Sequence, residues 1–185
     1  MRKISLLALA LGGVMYAGEM NYEEISTQSI FKLASSLHAE LGKMMKSDPS
    51  GLKGLHYCAY TAQDLTKEIN QGFEENVTVR RTALKVRNLL NTPTNQDLEV
   101  MAEFKNQIEK EKQDPVAMSK IVETNEAYFM YKPLTIGEVC LKCHGDIDKM
   151  DKSLVEELAK QYPNDKATGY KLGDFRGVLV SIIAK

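Results

Sequence analysis

Two cysteines three positions apart, with a histidine directly behind them, give the chain its densest group of soft and imidazole ligands: Cys140, Cys143 and His144 in the stretch CLKCHGD. The third and last cysteine, Cys58, stands far upstream in GLHYCAYTAQ. Three chemistries use these residue types: a redox disulfide, a structural zinc site and the attachment of haem. In covalent attachment two thiols add to the porphyrin's vinyl groups, a two-residue gap lets one backbone turn span them, and the adjacent histidine reaches the iron. A thioredoxin-like pair needs a βαβ setting in which the cysteines open a long helix after a strand. Here they follow a proline-containing loop instead. A Cys₃His zinc set of Cys58, Cys140, Cys143 and His144 is the better rival. It is weakened because neighbours such as Cys143 and His144 rarely share one tetrahedral ion. The motif is therefore read as the anchor of one covalent haem c, with Cys140 and Cys143 as attachment points and His144 as an iron ligand.

The second axial ligand has several candidates: His38, His56, Cys58 and the methionines. Residues two apart on a helix sit about 200° around its axis, so His56 and Cys58 cannot both face inward. Cys58 falls in line with Ala62, Leu65 and Ile69 on the apolar side, whereas His56 groups with Tyr60, Gln63 and Lys67 on the wet side. His38 borders the apolar stripe of an earlier helix and could serve if that helix packs on the site. Spacing alone leaves two readings of Cys58 open, a ligand or a small buried core residue.

These residues must be carried by elements that bring position 58 to position 144. Apolar positions Ile30, Ala34, Leu37, Leu41, Met44 and Met45 recur at three and four, which predicts an amphipathic helix from Ser26 to about Lys46. SDPSG breaks it, with Ser47, Asp48 or Ser50 as candidate caps for the next helix. That second helix is expected from about Leu52 to Ile69, with Leu55, Ala59, Ala62, Leu65 and Ile69 inward and Gly72 as its stop. NVTVRRTAL alternates as a strand with Val77 and Val79 on one face, and KVRNLLNTPTN reads as a structured loop. Leu98, Met101, Phe104 and Ile108 mark another helix. MSKIVET and AYFMYKPL around Asn125 and Glu126 read as a hairpin, with Ala127, Phe129 and Tyr131 on one face. A short helix in KSLVEELAKQY and a buried strand in RGVLVSIIA close the chain. Strands in antiparallel runs with helices gathered around them predict an α+β domain.

Composition bounds the partners. The chain has 185 residues and a net charge of −1, enough for one domain with its own core and without the basic footprint of a nucleic-acid binder. The N-terminus is more telling. MRK followed by the uncharged run Ile4–Tyr16 and the small residues Ala17 and Gly18 has the anatomy of a secretory signal peptide, and the run is shorter than the roughly 20 apolar residues of a membrane span. The expectation is a leader over residues 1–17, a single domain over 18–185, a periplasmic location and no membrane-spanning segment after processing. In an oxidising compartment three cysteines cannot all pair internally, which again asks for a cofactor.

Several segments in order resemble a family of single-haem, c-type proteins with a PAS-like fold, found as sensor modules and as free-standing exported proteins. They are the cysteine of the second helix (Cys58), VRNLLNTP with Arg87, Asn88, Asn91 and Pro93, YKPL from Tyr131 to Leu134, CLKCHGD, and YPNDKATGYKLGDFRG. Leu89 stands where the family commonly has proline. The resemblance implies a small antiparallel sheet holding the haem against a long helical hairpin, with His144 and Cys58 binding iron from opposite sides. It also points to Arg87, Asn88 and Tyr131 as residues on the cofactor side. Of the cations that could neutralise haem propionates (Arg80, Arg81, Arg87 and Lys132), Arg87 is preferred because its motif matches, and only one of Arg80 and Arg81 can help since they face opposite ways along a strand. Phe129 shares a strand face with Tyr131 and could line the pocket. The function expected is a haem protein responsive to redox state or to a gas such as NO or CO through ligand exchange at Cys58, acting through a partner protein. The alternative is a low-potential one-electron carrier. Haem enzymology ranks last, for want of an inward acid–base histidine other than His38.

Overall fold

The protein is described by a computed structural model covering residues 21–185; the expected leader lies outside the described residues. The first long helix, α1 (Tyr22–Ser47), starts where the Asn21 side chain accepts the Glu24 backbone N–H at 3.1 Å, with Glu23 and Glu24 set favourably in the first turn against the helix dipole. Ser26, Ser29, Ile30, Leu33 and Leu37 form its buried stripe. His38 lies on the exposed side, off the buried stripe.

Asp48 turns the chain back, accepting the Lys53 N–H at 2.9 Å, but none of the expected residues holds the N-cap position, which falls to Gly51. Gly51 then adopts φ 90°, and a Cβ there would also press on Lys142 Cγ at 3.0 Å, so both the turn and the space ask for glycine. The second rod is α2 (Leu52–His56), a π-helical turn (Tyr57–Thr61) and α3 (Ala62–Gln71). Its inward residues include Leu55, Ala62 and Ile69 as expected, but Tyr57 and Thr66 are buried as well, because the π turn inserts an extra residue and rotates the stripe.

Four antiparallel strands, β1 (Val77–Ala83), β2 (Lys120–Glu123), β3 (Ala127–Thr135) and β4 (Phe175–Ala184), make a sheet of order β1-β4-β3-β2. Val77, Val79, Tyr128, Met130, Leu179 and Ile183 pack under the helical hairpin, against Ile30, Leu33, Leu37, Tyr57 and Ala62. The other face, with Tyr131, Val178 and Val180, is covered by α4 (Asn95–Glu109) through Val100, Met101 and Phe104. Each fully buried aliphatic or aromatic side chain contributes roughly 1.5–3 kcal/mol. Burial on both faces explains why β4 reads as a continuous apolar run. Leu98, expected inward, is 42% exposed, since the capping pair Thr94 and Asp97 turns α4 so that Asp97 and Val100 face in. Gly177 lets β4 approach β1: a Cβ there would collide with the Thr82 carbonyl oxygen.

The expected PAS-like α+β arrangement of small sheet and helical hairpin is the one observed. Two short helices, α5 (Glu138–His144) and α6 (Lys152–Gln161), complete it; the cysteines lie on α5, and the proline read as part of a loop before them, Pro133, lies in β3. No described helix is long and apolar enough to cross a membrane.

Candidate functional site

Helix α5 is two turns long and carries Cys140, Cys143 and His144 on it. All three cysteines of the chain are free thiols, none fully exposed or fully buried. Cys143 packs against Leu55, Leu154 and Leu158, so its thiol leans towards α2 and α6. Burial pushes it up to about 11, against the pull of the Arg87 cation.

His144, about 100° further around the helix, turns the other way. Its Nδ1 lies 2.6 Å from the Ala167 carbonyl oxygen. A carbonyl only accepts, so Nδ1 carries the proton and Nε2 keeps its lone pair. Burial, reinforced by the Arg87 and Arg176 cations, holds the imidazole down to about 3, and so neutral in ordinary conditions. A neutral imidazole oriented through Nδ1 is the arrangement in which histidine binds a metal through Nε2. The Tyr170 ring meets it edge to face, with centroids 6.3 Å apart.

The C-terminal carbonyls of α5, which no helical partner can satisfy, are met by other segments. Arg87 Nη2 donates to the Cys143 oxygen at 2.7 Å, the Tyr170 N–H to the His144 oxygen at 2.9 Å and the Gly169 N–H to the Gly145 oxygen at 2.8 Å. Gly145 is needed at this end because a Cβ would sit 2.5 Å from the Leu141 oxygen. Arg87 also donates from Nε and Nη2 to Asp165 Oδ2, at 3.0 and 2.7 Å, and from Nη2 to the Ala167 oxygen at 3.2 Å. Burial works to raise the Asp165 pKa, but the Arg87 hydrogen bond and the Ala167 N–H prevail and lower it. Arg87 is thus at the site, as expected, but committed to Asp165 and two carbonyls: it is the clamp that fixes the 165–170 loop against α5.

Cys58 approaches from the opposite element. It lies in the π turn and packs against the hairpin core. Burial pushes its thiol up, while Arg81 and Arg87 pull it down in part and the Cys140 thiol lies within electrostatic reach. His56 is on the wet side, its Nε2 3.6 Å from Glu157 on α6, so of the two only Cys58 is directed to the site. Among the described residues no group of three His, Cys, Asp or Glu side chains is placed to hold one metal ion, which disfavours the Cys₃His zinc set: Cys143 and His144 diverge from the same helix turn.

The remaining expectations divide. Asn88 is close by, but its side-chain oxygen accepts the Leu90 N–H at 3.0 Å, making it the cap of the 3₁₀ turn Leu89–Asn91. Tyr131 is on the far face of the sheet, fully buried under α4, its hydroxyl donating to Asp97 Oδ1 at 3.1 Å and accepting from Gln96 at 2.7 Å. Phe129 shares that face. Both belong to the α4 core, because alternation sends Tyr128, Met130 and Lys132 to the hairpin side instead. Arg80 is likewise on the α4 side, paired with Asp97 at 2.8 Å. Arg81 faces the hairpin with one buried N–H lacking a partner, and so does Arg176, a residue sequence reasoning passed over. Two surface pockets, one of about 400 Å³ beside α4 and one of about 510 Å³ on the outside of the hairpin, contain none of these residues except Tyr57 and His56.

The arrangement offers two thiols and one neutral, oriented imidazole on one short helix, with a third thiol facing them. The donor set fits a covalently attached iron porphyrin better than a single bare ion. A crystal structure of the cyanobacterial heme-protein Tll0287 is similar, with a TM-score of 0.65 at 22% sequence identity, over 89% of this chain and 97% of that one. No curated protein matches the chain. The Tll0287-like family model matches residues 18–184, nearly the whole length, and the chain belongs to the Tll0287-like family.

Proposed function

We propose that this is a periplasmic protein with one haem c, attached through Cys140 and Cys143, whose iron is held by His144 Nε2 and Cys58, and that it responds to redox state or to a diatomic gas by exchange of the Cys58 ligand. The observation carrying this reading is the Nδ1–H bond of His144 to the Ala167 carbonyl on the same helix that presents both attachment thiols. The relative of known structure is a haem protein by its own description, which supports the cofactor. A bound haem would supply one-electron exchange at iron and, with Cys58 unbound, a position for a small molecule.

The chain's own part in the exchange rests on Cys58. Its buried sulfur has a raised pKa, so away from a cation it takes up a proton and stays neutral. Cys58 would hold the iron as a thiolate, and a buried site that favours the neutral thiol would favour its release as a protonated sulfur. The π turn around Cys58 carries one residue more than an α-helix needs, a feature found often at functional sites. With His38 and His56 both exposed, no inward histidine serves as an acid–base group, and we infer a sensor acting through a partner protein instead of an enzyme.

The second reading, a one-electron carrier, draws on the rigidity of the His144 side, where Arg87, Tyr170 and Gly169 tie the Cys143, His144 and Gly145 carbonyls. Absorption and EPR spectra of wild type and Cys58→Ala in both oxidation states decide between them. A sensor loses low-spin thiolate ligation on reduction and then binds CO or NO. A six-coordinate ferrous form indifferent to both gases refutes ligand exchange and leaves the carrier, and wild-type spectra that match Cys58→Ala refute Cys58 as ligand altogether.

A further inference from the structure

The described chain contains four arginines, Arg80, Arg81, Arg87 and Arg176, and their partners sort them sharply. Arg80 is paired with Asp97 and Arg87 with Asp165. Arg81 and Arg176 form no ion pair among the described residues, yet each holds a buried N–H without an acceptor, Nε of Arg81 and Nη1 of Arg176. Buried polar groups are hydrogen-bonded almost without exception, and an unpaired donor on a charged group is the costliest to leave. Two such orphans at one site call for an acceptor that the protein itself does not provide.

Their placement tells where that acceptor lies. Arg81 pairs with Leu179, which pairs on its other side with Lys132, and residues directly opposite across a sheet share a face. That face is the hairpin side, where Arg81 is among the charges felt by Cys58. Arg176 is delivered by a different device. The ladder between β3 and β4 runs from Leu134 opposite Gly177 to Thr135 opposite Phe175, so Arg176 is the extra residue of a β-bulge, the irregularity that re-aims a side chain. It stands over the Tyr170 ring at 5.4 Å and is felt by His144. One arginine thus attends the Cys58 side of the site and the other the His144 side, about 10 Å apart along β4 by strand rise.

We propose that Arg81 and Arg176 receive the two carboxylates of the bound group, which on the haem reading are its propionates, one to each guanidinium. Guanidinium is the side chain suited to a carboxylate because its fork donates two parallel hydrogen bonds. This assignment rests on the haem reading and replaces Arg87, whose guanidinium is already occupied, as the propionate partner.

The test uses the purified holoprotein and the variants Arg81→Gln, Arg176→Gln, Arg81→Lys and Arg176→Lys, with Lys120→Gln on the remote surface as a control. Pyridine haemochrome spectra establish covalent haem in each. Resonance Raman spectra then read the propionate bending bands, and redox titration reads the potential. Each Gln variant is expected to move one propionate band and to lower the potential, since a lost cation favours ferric iron. The Lys variants, which keep the charge, should restore the potential but not the band. If Gln variants do not accumulate, the band shift in the Lys variants decides the matter. Unshifted bands in variants that carry covalent haem overturn the proposal, as do bands that move only when chloride or phosphate is added, which would place a solvent anion on the arginines. Absence of covalent haem from the wild type overturns the haem reading itself, and the assignment with it.

Discussion

Replacing Arg87 with methionine removes the guanidinium but keeps most of its apolar stem, and the structure sets the size of the loss. The Arg87 and Asp165 side chains are 9% and 11% exposed, so water screens their pairing little. Breaking a buried pair by removing one partner costs about 3–5 kcal/mol, most of it from the charge left behind. Asp165 keeps one compensation, the Ala167 N–H at 2.8 Å, while the Cys143 carbonyl loses its 2.7 Å donor. The expectation is a loss of about 4 kcal/mol, read by urea unfolding at pH 7. The double variant Arg87→Met with Asp165→Leu should recover part of it, because an apolar pair strands no charge. The pH dependence has a fixed sign. Asp165 is held below its ordinary value in the fold, so its contribution is present above the unfolded carboxylate pKa of about 3.9 and is lost as pH falls through the lower folded value. In Arg87→Met the same carboxylate lacks its cation and titrates higher, so the gap between wild type and variant closes as the solution is acidified. A loss under about 1 kcal/mol, the range of an exposed pair, would falsify the clamp. So would a gap that stays constant from pH 7 to pH 3, or a double variant no more stable than Arg87→Met.

Other changes test other levels of the structure. Gly177→Ala drives a Cβ into the Thr82 oxygen and puts it 2.7 Å from Ala83 Cα, backbone atoms that cannot step aside, and should cost about 3 kcal/mol or more, seen as a lost or lowered thermal transition by circular dichroism. Asp97→Asn weakens the bonds from Arg80, Tyr131 and the Thr94 N–H. A loss of about 2–3 kcal/mol at pH 7 is expected. Burial alone would raise the Asp97 pKa, but the Arg80 and Thr94 hydrogen bonds prevail and lower it, so that loss should fade only in acid below about pH 4; equal urea midpoints at pH 7 would contradict it. Cys140→Ala should leave a single thioether, moving the pyridine haemochrome band towards that of a haem with one free vinyl, whereas an unchanged band would remove Cys140 from the attachment.

Much of the frame was legible because it rests on periodicity. Burial at Ile30 and Leu37, alternation at Val77 and Val79, and the apolar run of β4 each have one simple solution, and these elements lie where spacing puts them. The candidate site was legible as a grouping, since CLKCH sets two thiols and an imidazole on one short helix, and helix geometry alone turns Cys58 to the core and His56 to solvent. What escaped is set by tertiary context. Tyr131 is on the correct strand and the correct alternating set, but alternation does not say which sheet face meets which helix, and α4 took that face. Leu98 lost its inward place to Asp97 because a capping box fixes the rotation of a helix more firmly than one apolar residue does. Arg176 could not be singled out because its direction depends on a bulge, and a bulge is a relation between two strands, not a pattern in one. Arg87 was legible as a cation of the site but not as the partner of Asp165: a cation near a pocket reads the same whether it meets a ligand or an aspartate.

The two halves of the candidate site differ in how firmly they are held, and on the proposed reading that difference would decide which of His144 and Cys58 can move. On the His144 side, the Cys143, His144 and Gly145 carbonyls each have a donor from another segment, the imidazole is fixed through Nδ1, and a buried ion pair locks the loop that does the fixing. Shifting His144 would break several of these bonds together. Cys58 has no comparable ties. It sits where the regular i to i−4 ladder of its helix is interrupted, and no side-chain hydrogen bond among the described residues ends on its sulfur. Burial gives that sulfur a stable neutral form to fall back on. A partner protein that reads the state of this molecule would therefore find the change on the hairpin, not on the sheet. The surface beside Cys58, where His56 and Tyr60 stand exposed on the same rod, is the place where displacement of the π turn would be felt first.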